Sequence, residues 1–244
     1  MGSRPAPTTV AAAPRPTLAK SRQFHVGFAD VIGVRIQRAN HRLDASTHQF
    51  IRFDVVDVVG VHLFIHVGVH FDGLHYFEEL KCEVTVKRND QLELKEVDNF
   101  DKIVLSPGPG IPDEAGLLKP IIKTFAATKS ILGVCLGMQA IGEVFGAELH
   151  NLDTVYHGIQ TKVKITSKNE KLFKGLGPTI DVGRYHSWVV KGQIPDCLEI
   201  TSVDENDQIM ALRHKDYDVK GVQFHPESVL TPDGKIILKN WINS

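Results

Sequence analysis

Apolar and polar residues recur along this chain with two different periods, and each change of period marks an element. From about residue 74, "LHYFEEL" (74–80) reads as the end of an amphipathic helix, "CEVTVKR" (82–88) as a strand, "QLELKEVDNF" (91–100) as a short helix and "DKIVLS" (101–106) as a strand. The turn-rich "PGPGIPDEAG" (107–116) follows, then a helical "LLKPIIKTFAAT" (117–128), the apolar "SILGV" (130–134) and a helix beginning near Cys135. Strands alternating with helices predict an α/β fold with a mostly parallel central sheet flanked by helices on both faces. Beyond residue 150 the pattern turns to β segments: "TKVKIT", "DVGRYHSWVV", "LEITSVD", "IMALRH" and "VKGVQFH". A last helix is expected at "DGKIILKNWIN" (233–243). No internal repeat is visible.

The residues before this regular stretch differ in character. Residues 1–80 hold seven Arg and one Lys, whereas residues 81–244 hold three Arg and seventeen Lys, and seven of the twelve His lie at or before His75. The switch near residue 75 marks a boundary. Three readings of the opening "MGSRPAPTTVAAAPRPTLAKSRQ" compete: an organelle transit peptide, a disordered tail, or a segment foreign to the domain that follows. Within "VHLFIHVGVHF" (61–71), β-branched content predicts a strand, and His62, His66 and His70 then share one face. A polar strand face explains them better than a metal site, since no neighbouring Cys, Asp or Glu completes a ligand set. No metal and no cofactor is expected.

Composition narrows the function classes. A formal net charge of −1 over 244 residues supplies no broad basic field, which argues against nucleic-acid and membrane-surface partners. No apolar run reaches the roughly 18 residues of a membrane span. Three widely spaced cysteines, Cys82, Cys135 and Cys197, argue against a disulfide framework and for a reducing, cytoplasmic setting.

Candidate chemistry centres on Cys135. A residue between the apolar "SILGV" and a helix stands at the carboxyl end of a strand, where ligands of such sheets bind. Gly133 and Gly137 flank it as in a tight strand-to-helix turn that exposes a nucleophile, and the helix N-terminus favours a thiolate. A lone cysteine is more often an apolar filler, and His-Pro-Glu by itself is more often a turn. Together they specify more: "GVQFHPES" supplies His225 as a base and Glu227 as its orienting carboxylate after a strand. In "SPGPGIPDEAG", Gly108 and Gly110 let backbone N–H groups approach a ligand, which suits an oxyanion hole completed by the N–H of Leu136. The loop lacks the lysine and spacing of a phosphate loop.

The stretches "LSPGPGIPDEAG", "GVCLGMQAIGEVFG", "VGRYHSWVV" and "GVQFHPESVLTPDGK" resemble the triad-type, class I glutamine amidotransferases. Within them the likeness is to the small subunit of anthranilate synthase and the amidotransferase subunit of aminodeoxychorismate synthase. The resemblance implies a flavodoxin-like amidotransferase domain over residues 61–244, with residues 1–60 an atypical segment, disordered or foreign. It implies hydrolysis of L-glutamine to glutamate and delivery of ammonia to a chorismate-binding large synthase subunit, as in tryptophan or folate biosynthesis. Cys135 would be the nucleophile, His225 the base and acid, and Glu227 its partner. Gly110 and Leu136 would form the oxyanion hole, and Gly108, Pro109, Gly110, Gln139, Ser187 and Trp188 the glutamine pocket. Family members open with a strand leading into Asp-Asn-Tyr-Asp-Ser-Phe, whereas this chain has "LFIHVGVHFDG" there. The family's first strand is therefore expected to be atypical or missing. The alternative function is a non-catalytic subunit of the same fold, its turnover impaired by that altered N-terminus.

Overall fold

The computed structural model describes residues 30–34, 61–66, 74–88 and 91–244, the first two as backbone strands. The remainder of the atypical N-terminal segment, including the transit-peptide-like opening, lies outside the described residues.

Twelve strands are described: β1 (Asp30–Val34), β2 (Val61–His66), β3 (Cys82–Arg88), β4 (Lys102–Leu105), β5 (Ser130–Val134) and β6 (Glu148–Asn151) precede β7 (Ile159–Ile165), β8 (Thr179–Arg184), β9 (Trp188–Lys191), β10 (Leu198–Asp204), β11 (Ile209–His214) and β12 (Val219–Val222). Four α-helices accompany them: α1 (Leu74–Glu79), α2 (Leu118–Phe125), α3 (Leu136–Val144) and α4 (Gly234–Ile242). The expected "QLELKEVDNF" helix is a 3-10 helix over Leu94–Asn99.

One sheet runs in the order β1-β3-β2-β4-β5-β12-β11-β10-β7-β8. Its parallel part, β3-β2-β4-β5-β12, is the sheet expected from the strand–helix alternation. The C-terminal β segments extend it as antiparallel strands. The expectation that the first strand is atypical or missing meets a definite answer in the backbone. Val61–His66 lies between β3 and β4, with Leu63 to His66 opposite Lys102 to Leu105, so "VHLFIH" supplies the inner strand.

Period-two alternation builds the two cores. On β4, Val104 faces one core while Ile103 and Leu105 face the other, and on β5, Leu132 and Val134 oppose Ile131 in the same way. The first core is closed by Phe77 of α1 and by Ile237, Leu238 and Trp241 of α4, with the Phe77 and Trp241 rings edge to face at 6.2 Å. The second is closed by α2, whose Leu118, Ile121, Ile122 and Phe125 recur at helical spacing, and by Met138 and Ile141 of α3. Every residue of β4 and β12 is buried, as a strand covered on both faces must be.

The structure departs from the sequence expectation at "DVGRYHSWVV". This is two strands rather than one: β8 ends at Arg184, and β9 begins at Trp188 in a separate two-stranded sheet with β6. The break frees Tyr185, His186 and Ser187 to form a wall of the site. The short β6, largely exposed, carried no clear pattern in the sequence.

Removing the chain through His66 takes away a strand bonded on both sides, whereas removing it through Gly60 leaves that strand in place. The first truncation should lower stability by several kcal/mol relative to the second, about 1 kcal/mol for each lost ladder bond. Urea unfolding of the two proteins tests this, and equal midpoints would show that β2 is dispensable.

Candidate active site

The site is assembled where β5 meets α3. Cys135 takes φ 53 and ψ −102, a backbone conformation that side-chain-bearing residues rarely adopt. Two bonds hold it: its N–H donates to the Val222 carbonyl at 2.8 Å, and its own carbonyl accepts from the N–H of Gln139 at 3.1 Å. Gly137 makes the turn possible by contact, since a Cβ there would fall 2.2 Å from the Leu105 carbonyl oxygen. Cys135 itself is only 6% exposed. Leu136 is the first residue of α3, so its N–H has no partner within the helix, and its side chain is buried in the second core.

β12 pairs in parallel with β5, Val222 opposite Val134, and the chain leaving β12 carries His225 over the cysteine. The backbone of His225 is pinned to β8, its N–H donating to the Gly183 carbonyl at 3.0 Å. Its carbonyl accepts from the Thr231 hydroxyl at 2.6 Å, and that hydroxyl in turn accepts from the Gly183 N–H at 2.9 Å. The imidazole Nδ1 lies 2.9 Å from a Glu227 carboxylate oxygen, and the Tyr185 ring packs edge-on at 4.9 Å between centroids. Nε2, the opposite nitrogen, is buried and makes no hydrogen bond of ordinary geometry, although the Cys135 side chain is near enough to perturb the ring. Burial works against a charged ring here, yet the Glu227 charge, the hydrogen bond to Glu227 and the neighbouring Cys135 side chain outweigh it and push His225 up to about 10.

The Pro-Gly loop closes over the cysteine from β4. Gly110 sits at φ 75, and a Cβ on it would lie 2.5 Å from a Glu114 carboxylate oxygen. Lys119 binds both Asp113, at 2.6 Å, and Glu143 of α3, at 2.8 Å, so the loop and the helix are tied together. A cavity of about 210 Å³ is lined by Gly108, Pro109, Gly110, Cys135, Gln139 and the Tyr185–Trp188 turn. A larger space of about 680 Å³, which shares Gly108, Pro109 and Cys135 with it, is bounded by His225, Glu227 and Val229. The residues expected for the nucleophile, its base, the carboxylate and the pocket thus meet at one place, with Leu136 contributing backbone only.

The structure also brings in residues that the sequence reading passed over. Tyr156 and His157, from the turn before β7, line the small cavity. Behind it, Arg184 stacks on Tyr156 at 3.6 Å and is bonded to Asp204 at 2.6 Å, to Gln208 at 2.6 Å and to His186 Nε2 at 3.1 Å. Burial and the adjacent guanidinium depress His186 to about 3, so it is neutral and accepts from Arg184 through Nε2, which leaves Nδ1 to donate to the Trp188 carbonyl. No residue type in "TVYHG" announces this role. Gln223 is also beside the nucleophile, and its signal was visible: it is two residues from His225 in the stretch "VKGVQFH" expected as a strand, where alternate residues share a face, although β12 itself ends at Val222.

A sequence profile described as Glutamine amidotransferase class-I matches residues 66–244. The chain is 44% identical over 180 residues to anthranilate synthase component 2 of Pseudomonas aeruginosa, covering 70% of this chain and 89% of that protein. It is 44% identical over 171 residues to aminodeoxychorismate synthase component 2 of Escherichia coli, covering 69% and 90%. Among solved structures, a protein described as a GMP synthase subunit from Thermoplasma acidophilum superposes with a TM-score of 0.65 at 27% identity, over 75% of this chain and 91% of that one.

A raised histidine stabilises the folded state while it is charged. The contribution is complete below its ordinary value of 6.5 and is lost as pH rises through about 10. Glu227→Gln removes the favourable charge and leaves the burial, so at pH 8 the His225 ring should be neutral in the variant and charged in the parent protein. Imidazole NMR titration measures this directly, and an unchanged titration would remove Glu227 as the source of the shift.

Proposed function

We propose that this chain, which belongs to the class-I glutamine amidotransferase family, hydrolyses glutamine and delivers the ammonia to a chorismate-aminating synthase subunit. The observation that carries this reading is the meeting of Cys135, His225 and Glu227 at a cavity edged by a glycine loop and a helix N-terminus. The component 2 names of the two bacterial relatives, each nine-tenths covered, point to the partner class. Anthranilate and aminodeoxychorismate synthases both remain within it.

Each step uses a group already placed. The Cys135 sulfur attacks the side-chain amide carbon of glutamine, bound against Gly108, Pro109, Gln139, Ser187 and Trp188. The oxyanion that forms is held by the N–H groups of Gly110 and Leu136. His225, charged and buried, gives its proton to the amide nitrogen; the carbon–nitrogen bond breaks, and ammonia leaves a glutamyl thioester. Water, deprotonated by His225, then cleaves the thioester to glutamate, which frees the Cys135 sulfur and leaves His225 protonated again. Glu227 keeps the ring oriented and stabilises its charge throughout. The larger space beside the triad is edged by Val229, 91% exposed, and offers released ammonia a way out of the site.

We place the reaction in the cytoplasm. Cys82, Cys135 and Cys197 are all free, as a reducing compartment keeps them. Among the described residues no helix is long and apolar enough to cross a membrane.

Two substitutions test the chemistry in the reconstituted complex. Cys135→Ser should abolish glutamine-dependent amination by at least about 100-fold while ammonia-dependent amination by the partner continues, because a hydroxyl is a much weaker nucleophile at this base. Equal loss of both activities would make Cys135 structural.

Removal of the base should cost more than neutralising its orienting group. Steady-state glutaminase rates are expected to fall further for His225→Ala than for Glu227→Gln, which preserves the shape of the Nδ1 contact. The reverse order would exchange the two roles.

A further inference from the structure

Gln223 stands outside the three proposed catalytic groups, yet its carboxamide reaches the nucleophile. It is fully buried, and its Nε2 lies 3.6 Å from the Cys135 sulfur, within the longer range of bonds to sulfur. A buried carboxamide is costly unless its donors and acceptor are paired, and an apolar residue would fill the same space at less cost. The strand explains why it points there. β12 ends at Val222, and Gln223 follows it with its N–H still bonded to the Met210 carbonyl at 2.8 Å, so its side chain falls on the same side as Gly221, where the missing Cβ leaves room for Met138.

Which end of the amide faces the sulfur follows from its neighbours. The Trp188 backbone carbonyl can only accept, so the Gln139 atom 2.9 Å away is the amide nitrogen. The same nitrogen lies 3.3 Å from Gln223, which must therefore turn its oxygen toward Gln139 and its N–H toward Cys135. The result is a directed chain, from the sulfur through Gln223 and Gln139 to Trp188. Its far members line the small cavity.

We propose that Gln223 is a catalytic residue, a buried N–H donor to the Cys135 sulfur whose direction is set by the Trp188 carbonyl through Gln139. A cysteine only 6% exposed has little water to solvate negative charge that gathers on its sulfur during the reaction, and this N–H replaces part of that solvation without offering a proton that could be lost. Substrate seated against Gln139 and Trp188 bears on the same chain, so occupancy of the pocket is transmitted to the nucleophile through two hydrogen bonds. The assignment rests on Cys135 being the nucleophile.

The test is alkylation of the full chain by iodoacetamide across a pH series, read by mass spectrometry on the Cys135 peptide with Cys82 and Cys197 as internal references. Gln223→Met keeps the volume and removes the donor. Cys135 should then react about tenfold more slowly at neutral pH, with its profile displaced to higher pH, the scale expected for a bond to a charged acceptor. Gln139→Met, which leaves the donor but frees its direction, should slow alkylation by a smaller factor. A Gln223→Met profile superimposable on the parent's would overturn the proposal. Should that variant fail to fold, Gln139→Met decides, and an unchanged rate there would likewise overturn the directed chain. Glutaminase activity surviving in Cys135→Ala would instead refute the nucleophile assignment, whatever the alkylation rates.

Discussion

The left-handed backbone of Cys135 is the constraint around which this structure is arranged. Holding a side-chain-bearing residue at φ 53 costs on the order of 1–3 kcal/mol, and it persists only because the strand before it and the helix after it cannot move. Buried β5 lies between two parallel neighbours, and α3 is pressed so closely on β4 that position 137 has no room for a Cβ. What the strain secures is a sulfur at the end of the sheet, beside unpaired N–H groups of a helix N-terminus.

The parallel pairing of β5 with β12 then decides what the sulfur meets. With Val134 opposite Val222, the Cys135 N–H is satisfied by the Val222 carbonyl, and the residues that follow β12 pass beside the cysteine. A shift of one residue would turn Gln223 and His225 to the opposite face. The antiparallel wing fixes the other coordinate. β8 binds the backbone of His225, and the Arg184–Asp204 pair at its end, about 1% exposed on each side chain, anchors the turn that carries His186 and Trp188. A buried pair of this kind contributes little net stability. Here its consequence is geometric, since the neutral tautomer of His186 and the placement of the Trp188 carbonyl both follow from it.

Charge in the site is concentrated on one pair. Glu227 keeps the His225 ring protonated against burial, while burial, helped by Arg184, keeps the His186 ring neutral, although the two imidazoles are near enough to influence each other. Burial lowers both rings; the anionic neighbour reverses it at His225 and the cationic one adds to it at His186, which separates a ring able to supply a proton from one that serves only as a fixed donor and acceptor.

Much of this was legible in the sequence because the signals are local. The alternation of Ile103, Val104 and Leu105, the helical spacing of Leu118, Ile121, Ile122 and Phe125, and the Cys135, Pro-Gly and His-Pro-Glu motifs depend on residues a few positions apart. Strand and helix periods, turn chemistry and the identity of reactive groups are properties of such short stretches. The sequence alone therefore determined the α/β architecture of the parallel part and the candidate nucleophile, base and carboxylate. It left open what depends on register between distant strands. That "VHLFIH" lies between β3 and β4, that "DVGRYHSWVV" breaks at Tyr185, that Tyr156 and Arg184 back the pocket, and that the Gln223 amide turns its N–H to the sulfur were decided only by tertiary structure. The physical reason is that each depends on hydrogen bonds and close contacts between segments far apart in the chain, and no local pattern encodes which carbonyl, ring or strand will be opposite.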